Sequence, residues 1–191
     1  MINLFHIIIV DDEDVTRGNL EKRIAWDKLD VSVAAVFSNG ISALEYCRNT
    51  MPDIVLTDVK MPKMDGITLA TELRKLSSTC KFIFLSGFAD KDYLKSAIHL
   101  QALTYIEKPI QLNEVTQAIA LAVEQCRREQ IEQKNRFRGL FLQYQQMTLA
   151  LISTSDKNES VDKFGKIYLD FSTWAQYTVG YLTPNLQLPE S

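Results

Sequence analysis

The chain lacks any apolar stretch long enough to cross a bilayer. Its most hydrophobic run near the start, Phe5-His6-Ile7-Ile8-Ile9-Val10, falls far short of the roughly 20 residues a helical span needs. That run also lacks the basic flank and cleavage site of a secretory leader, so a cytoplasmic protein with no membrane partner is expected. Charge of one sign is not in excess. With 21 basic and 24 acidic residues the formal net charge is -3 and the isoelectric point is near 5.5, which excludes a whole-surface footprint for nucleic acid. Cysteine is scarce and irregularly placed: Cys47, Cys80 and Cys126 have no CxxC spacing, which excludes a disulfide framework and suits buried thiols in a reducing compartment. The two histidines, His6 and His99, have no metal-spaced partner and read as surface residues of a strand and a helix. Asn158-Glu159-Ser160 fits a glycosylation acceptor but carries no meaning in a cytoplasmic protein.

At 191 residues with 46% hydrophobic content, the chain can bury one full core and leave an appendage. Short β-branched or aromatic runs at 5–10, 33–36, 54–57, 82–85 and 104–106 carry almost no internal charge, as parallel strands covered on both faces do. Between them, helical spacing is present at 15–25, 42–47, 68–76 and 93–100, and again from Leu112. Strands alternating with helices mean right-handed βαβ units and a doubly wound α/β fold with a five-stranded parallel sheet. Ligands of such sheets bind at the carboxyl ends of the strands.

Those ends are chemically rich. The first strand runs into Asp11-Asp12-Glu13-Asp14, the third into Asp58, the fourth into Ser86-Gly87 and the fifth into Glu107-Lys108-Pro109. Taken singly, an aspartate after a strand caps the next helix and Ser-Gly makes a turn. Together they bring acids to one place, where each raises the pKa of the others unless a cation shares the site. Oxygen-only ligands on rigid strand ends suit Mg²⁺, which takes one or two carboxylates plus phosphate oxygens. With such an ion, Asp58 can act as a nucleophile toward a phosphoryl donor while Lys108 neutralises charge on the transferring group. The product is an aspartyl phosphate.

The motifs Ile9-Val10-Asp11-Asp12-Glu13, Asp53 through Pro62 with Met64-Asp65-Gly66, Leu85-Ser86-Gly87 and Tyr105-Ile106-Glu107-Lys108-Pro109 occur in order. Over roughly residues 1 to 126 the chain resembles the receiver domain of two-component response regulators. The resemblance implies the flavodoxin-like strand order 2-1-3-4-5. It also implies Asp12 and Asp58 as direct Mg²⁺ ligands, Asp11 acting mostly through water, and the backbone carbonyl of Lys60 completing the set. Asp58 would be the phosphoacceptor and Lys108 would hold a phosphoryl oxygen. Ser86 and Tyr105 match the hydroxyl and the aromatic residue that switch together, and Pro109 resembles the family's cis proline. A sensor histidine kinase is the implied partner. The segment Ile24-Ala25-Trp26, together with Ser86-Gly87-Phe88 and Tyr93, resembles receivers that precede AraC-type DNA-binding modules.

The sequence departs from the family at Gln101, where many receivers have glycine, and at Lys60, whose cation faces the incoming nucleophile. Two other classes compete with a phospho-switch. An aspartyl phosphatase would place its nucleophile in an Asp-x-Asp arrangement after the first strand, unlike Asp58. A degenerate receiver, acting only as a dimerisation or interaction module, usually lacks an acid or the lysine, and both are here.

Beyond the receiver the apolar stripe Val115, Ile119, Ala122 and Cys126 docks a last helix on the sheet. Between Arg127 and Arg136 only Ile131 is apolar, and basic residues alternate with Glu129 and Glu132, as on a solvated helix. Apolar spacing resumes at Phe137, Leu140, Phe141, Tyr144, Met147 and Leu151, a seam suited to a homodimer, with the receiver face of the fourth and fifth strands as the other candidate dimer surface and a fold-back of the later amphipathic stretch within one chain as the alternative. The expected organisation is a receiver over 1–126, an extended linker or dimerisation helix over 127–152, and the start of a further or truncated domain over 153–191. A polar loop from Ser153 to Glu159, an amphipathic stretch from Val161 to Trp174 and a strand at Tyr177 to Leu182 make up that last part. No helix-turn-helix is recognisable after Pro109, so DNA contact is expected only through an output domain absent from this chain.

Overall fold

The computed structural model describes residues 4–87 and 102–153, with side chains described as far as residue 146. In chain order the elements are β1 Phe5–Val10, α1 Asp14–Arg23, a 3-10 turn Trp26–Leu29, β2 Val31–Phe37, α2 Gly40–Cys47, β3 Ile54–Asp58, α3 Gly66–Leu76, β4 Lys81–Ser86, β5 Thr104–Glu107 and α4 Leu112–Ser153. All strand pairs are parallel and the sheet order is β2-β1-β3-β4-β5. The helix expected over 93–100, His99, Gln101 and the segments expected beyond Ser153 lie outside the described residues.

The strand periodicity of two sorts the apolar residues into two layers. Ile7, Ile9, Leu56 and Leu85 point to one face, where Leu20 and Ile24 from the α1 region and Val115, Ile119 and Cys126 of α4 cover them. Ile8, Val10, Val55, Phe82 and Phe84 point to the other, against Leu44 of α2 and Leu69 and Leu73 of α3. Double coverage holds for the central strands β3 and β4 and, apart from His6, for β1. It does not hold for β2 and β5, which are largely half-buried because the strand order puts them at the sheet edges. His6 is exposed on β1, its Nδ1 2.9 Å from Ser32 Oγ.

Helix α1 stops at Arg23, two residues earlier than its spacing suggests. Ile24 leaves the helix with extended backbone and enters the core, and the 3-10 turn follows, closed by Asp30 in the left-handed conformation. Trp26 Nε1 donates to the carbonyl of Glu21 at 2.9 Å and fixes this corner.

On α4 the stripe from Val115 to Cys126 is buried, and residues 131–139 are exposed. Two ion pairs mark the end of the docked part: Arg127 with Asp30 at 2.8 Å and Glu129 with Lys81 at 2.5 Å. The chain divides between Ile131 and Glu132 into two units. Cys47, Cys80 and Cys126 are free and buried. Burial pushes the thiols of Cys47 and Cys126 up to about 11, and that of Cys80 further still. Among the described residues no helix is long and apolar enough to cross a membrane.

Candidate functional site

The carboxyl ends of β1, β3 and β5 converge. Asp11 directly follows β1, and its backbone N–H continues the sheet by donating to the carbonyl of Phe37 at 3.1 Å. Its carboxylate is fully buried; Oδ1 accepts from the backbone N–H of Glu13 at 2.8 Å and Oδ2 from Lys108 Nζ at 3.2 Å. Asp58 is the last residue of β3 and 5% exposed. Its Oδ2 accepts from Lys108 Nζ at 2.8 Å, and its Oδ1 from the backbone N–H of Lys60 at 3.3 Å. Asp12 is exposed, yet carboxylate oxygens of Asp11, Asp12 and Asp58 all lie within 4.8 Å of one another.

Lys108 reaches this cluster from the end of β5. Its backbone N–H donates to the carbonyl of Ser86 at 2.7 Å, and the Lys108–Pro109 peptide bond is cis, as the resemblance implies. Glu13 stands 3.8 Å from the same ammonium. Ser86 closes β4, buried, one residue beyond the Leu85 that pairs in register with Asp58. Tyr105 lies half-buried on β5, in register with Phe84.

Charge is unbalanced here. Burial raises the pKa of Asp11, and the neighbouring charge of Asp58 adds to it; the Glu13 N–H and Lys108 pull the other way without compensating. Burial alone would lower the pKa of Lys108, but its hydrogen bond to Asp58 and the charges of Asp11 and Asp58 outweigh that and raise it. Glu13 is shifted down, first by the hydrogen bond from Thr16 and then by Lys108. The Lys108 ammonium thus lies against the carboxylates of Asp11 and Asp58 in a site rich in acids. The donors are all oxygen, and a small hard cation would relieve their mutual repulsion, so the residues present fit Mg²⁺.

Close packing fixes Asp58 from behind. A Cβ on Gly66 would lie 2.1 Å from the Asp58 carbonyl oxygen, so the first turn of α3 passes against the strand end at a distance only glycine permits. Asp65 caps that turn through Thr68 N–H at 2.6 Å, and Gly66 N–H donates to the Val59 carbonyl at 2.9 Å. Gly40 plays a similar part at the start of α2, where a Cβ would meet the Met64 carbonyl at 2.8 Å. The contribution of Gly40 went unseen in the sequence. Its signal was Asn39 as a cap followed at once by glycine.

The response regulator receiver domain family matches residues 7–120. The chain belongs to that family. Among curated relatives, the receiver is 30% identical over 131 residues to the uncharacterized transcriptional regulatory protein YesN of Bacillus subtilis, covering 69% of this chain and 36% of the relative. It is 31% identical over 107 residues to the transcriptional regulatory protein HptR of Staphylococcus aureus, covering 56% of this chain and 42% of the relative. This chain spans less than half the length of these relatives. Among solved structures, the REC domain of the response regulator AraT from Geobacillus stearothermophilus superposes with TM-score 0.63 at 30% identity, over 66% of this chain and 98% of that one. A two-component transcriptional regulator, AraC, from Clostridium phytofermentans gives TM-score 0.58 at 37% identity, over 67% and 98%.

Proposed function

We propose that this receiver is a phosphorylation-dependent switch whose phosphoacceptor is Asp58. The observation that carries the reading is the Lys108 ammonium shared between Asp58 and Asp11 beside the acidic cluster. A carboxylate oxygen of Asp58 attacks phosphorus, and the bond from phosphorus to the donor's nitrogen or oxygen breaks, its electron pair leaving with the donor. Lys108 exchanges its carboxylate contacts for a phosphoryl oxygen. Asp11, Asp12, Asp58 and the Lys60 carbonyl would hold Mg²⁺, which when bound supplies positive charge against the carboxylates and the phosphoryl oxygens.

Phosphate adds acceptor oxygens at the end of β3, next to the end of β4 where Ser86 stands. Ser86 and Tyr105 are the proposed switch pair, and their strands the surface that responds. The donor is a sensor histidine kinase and the readout is transcriptional, by analogy with regulators such as HptR. The proposed organisation is a receiver over 1–126, a dimerising helix over 127–152 and a further region over 153–191, in a cytoplasmic protein that acts as a switch and not as a turnover enzyme.

Incubation with acetyl phosphate and MgCl₂ is expected to add about 80 Da, the mass of one phosphoryl group. The Asp58→Asn chain is expected to gain none. Equal labelling of both chains would refute the assignment. Light scattering on the full chain and on residues 1–126 tests the dimer: a dimer that persists without the helix removes that part of the reading.

A further inference from the structure

The turn from β1 into α1 has an electrostatic problem. Asp11-Asp12-Glu13-Asp14 places acids on consecutive residues, and two of them belong to the cluster described above. Repulsion along such a run favours opening the turn. The helix it starts has no side-chain cap, since Glu13 at the cap position is bonded to Thr16 Oγ1 instead of to a backbone N–H.

Arg17 closes this turn. One guanidinium nitrogen, Nη1, donates to the backbone carbonyl of Asp11, and the other, Nη2, to the carboxylate of Asp14. The side chain is only 15% exposed, whereas Asp14 is 88% exposed, so the guanidinium is tucked under the turn and its outer anchor lies in solvent. A planar fork with fixed N–H directions can hold a carbonyl and a carboxylate at once; the point charge of a lysine cannot reproduce that geometry.

Lys108 and Arg17 therefore divide the work. Lys108 touches the carboxylates of Asp11 and Asp58 directly. Arg17 is bonded to the Asp11 carbonyl and leaves the carboxylate oxygens of Asp11 and Asp12 to the site. We propose that Arg17 is a positioning residue for Mg²⁺ binding: by clamping the Asp11 carbonyl to Asp14, it holds Asp11 and Asp12 facing Asp58 before the ion arrives. This rests on the reading of the acidic cluster as a Mg²⁺ site.

Groups that orient a metal's ligands without touching the metal typically contribute ten- to hundredfold in affinity. Titration of the full chain with MgCl₂ by calorimetry is therefore expected to show an affinity about tenfold weaker for Arg17→Met. Arg17→Lys, which keeps the charge and loses the fork, is expected to recover only part of it. At saturating MgCl₂ the maximal rate of labelling by acetyl phosphate should stay near that of the unsubstituted chain, because no reacting atom has been removed. In the metal-free chain, amide exchange at Asp12 and Glu13 should accelerate in Arg17→Met. Equal Mg²⁺ affinity in the unsubstituted and Arg17→Met chains, with only a lower melting temperature, would overturn the clamp and leave Arg17 a helix-stabilising residue. Full recovery by Arg17→Lys would overturn the fork argument, since charge alone would then suffice. No Mg²⁺ binding by the unsubstituted chain would overturn the reading of the cluster, and the clamp with it.

Discussion

Replacing Gly66 by alanine should damage this receiver more than any other glycine-to-alanine change for which the structure describes the surroundings. The added Cβ would sit 2.1 Å from the Asp58 carbonyl oxygen and 3.0 Å from Thr57 Oγ1. Carbon and oxygen do not approach closer than about 3 Å without repulsion, so something must move by roughly 1 Å. Neither side can yield easily. Asp58 ends a fully buried central strand, and Gly66 is tied to Val59 by its own N–H. Overpacking of this kind costs about 1–3 kcal/mol, and losing the Gly66–Val59 hydrogen bond adds about 1 kcal/mol. The sum, about 2–4 kcal/mol, corresponds to a drop of roughly 10 °C in melting temperature for a domain of this size. Urea titration of the two chains reads it directly. Because the moved atom belongs to Asp58, the proposed phosphoacceptor, labelling by acetyl phosphate should slow as well, even under conditions where the variant is fully folded. Gly18→Ala serves as the control: nothing lies within 4 Å of its Cβ and it is interior to α1, so about 0.5–1 kcal/mol of stabilisation is expected. A Gly66→Ala chain within about 0.5 kcal/mol of the parent would refute the steric account, since that is the range of ordinary surface changes.

Asp11→Asn is expected to stabilise the metal-free chain at pH 7 while weakening Mg²⁺ binding. The folded pKa of Asp11 is raised above 3.8, so its cost to folding is absent below that value and sets in as pH rises through the folded pKa. Urea midpoints measured in EDTA would check this, and a lower midpoint for the variant would contradict it. On the alkaline side, Cys47 and Cys126 move from 9.0 to about 11 on folding. Such groups favour the folded state only while the unfolded thiols are still protonated, so stability should fall as pH rises from 9 toward 11. The pH dependence should flatten in a Cys47→Ala/Cys126→Ala chain, with an unchanged slope counting against the assignment.

The sheet was readable in the sequence because β1, β3 and β4 are buried on both faces nearly throughout, and a strand of that kind admits few charges. Its edges were less so: β2 extends to Val31 and Phe37 and tolerates half-exposed positions that carry no distinctive pattern. The site was readable because its acids and lysine must stand at strand ends, positions that a periodicity argument locates to within a residue. The supporting contacts were not. Arg17 reads as one more charged residue on an amphipathic helix, and its bond to the Asp11 carbonyl depends on the path of a turn. Gly40 likewise offers only a glycine after the Asn39 cap, and its close approach to Met64 depends on the path of the β3–α3 loop. The early end of α1 was also hidden, because Ile24 and Ala25 suit a helix and only the demand of the core for Ile24 ends it.

Lys108 is separated by 97 residues from Asp11 and by 50 from Asp58. During synthesis from the amino terminus, β1 and β3 are available to pair long before β5 has left the ribosome. Until then the centre of the sheet would have to bury two carboxylates with no lysine between them, which disfavours its closure. The two buried carboxylates therefore gain their ammonium only once β5 is in place, so the site is completed by contacts between residues far apart in the chain.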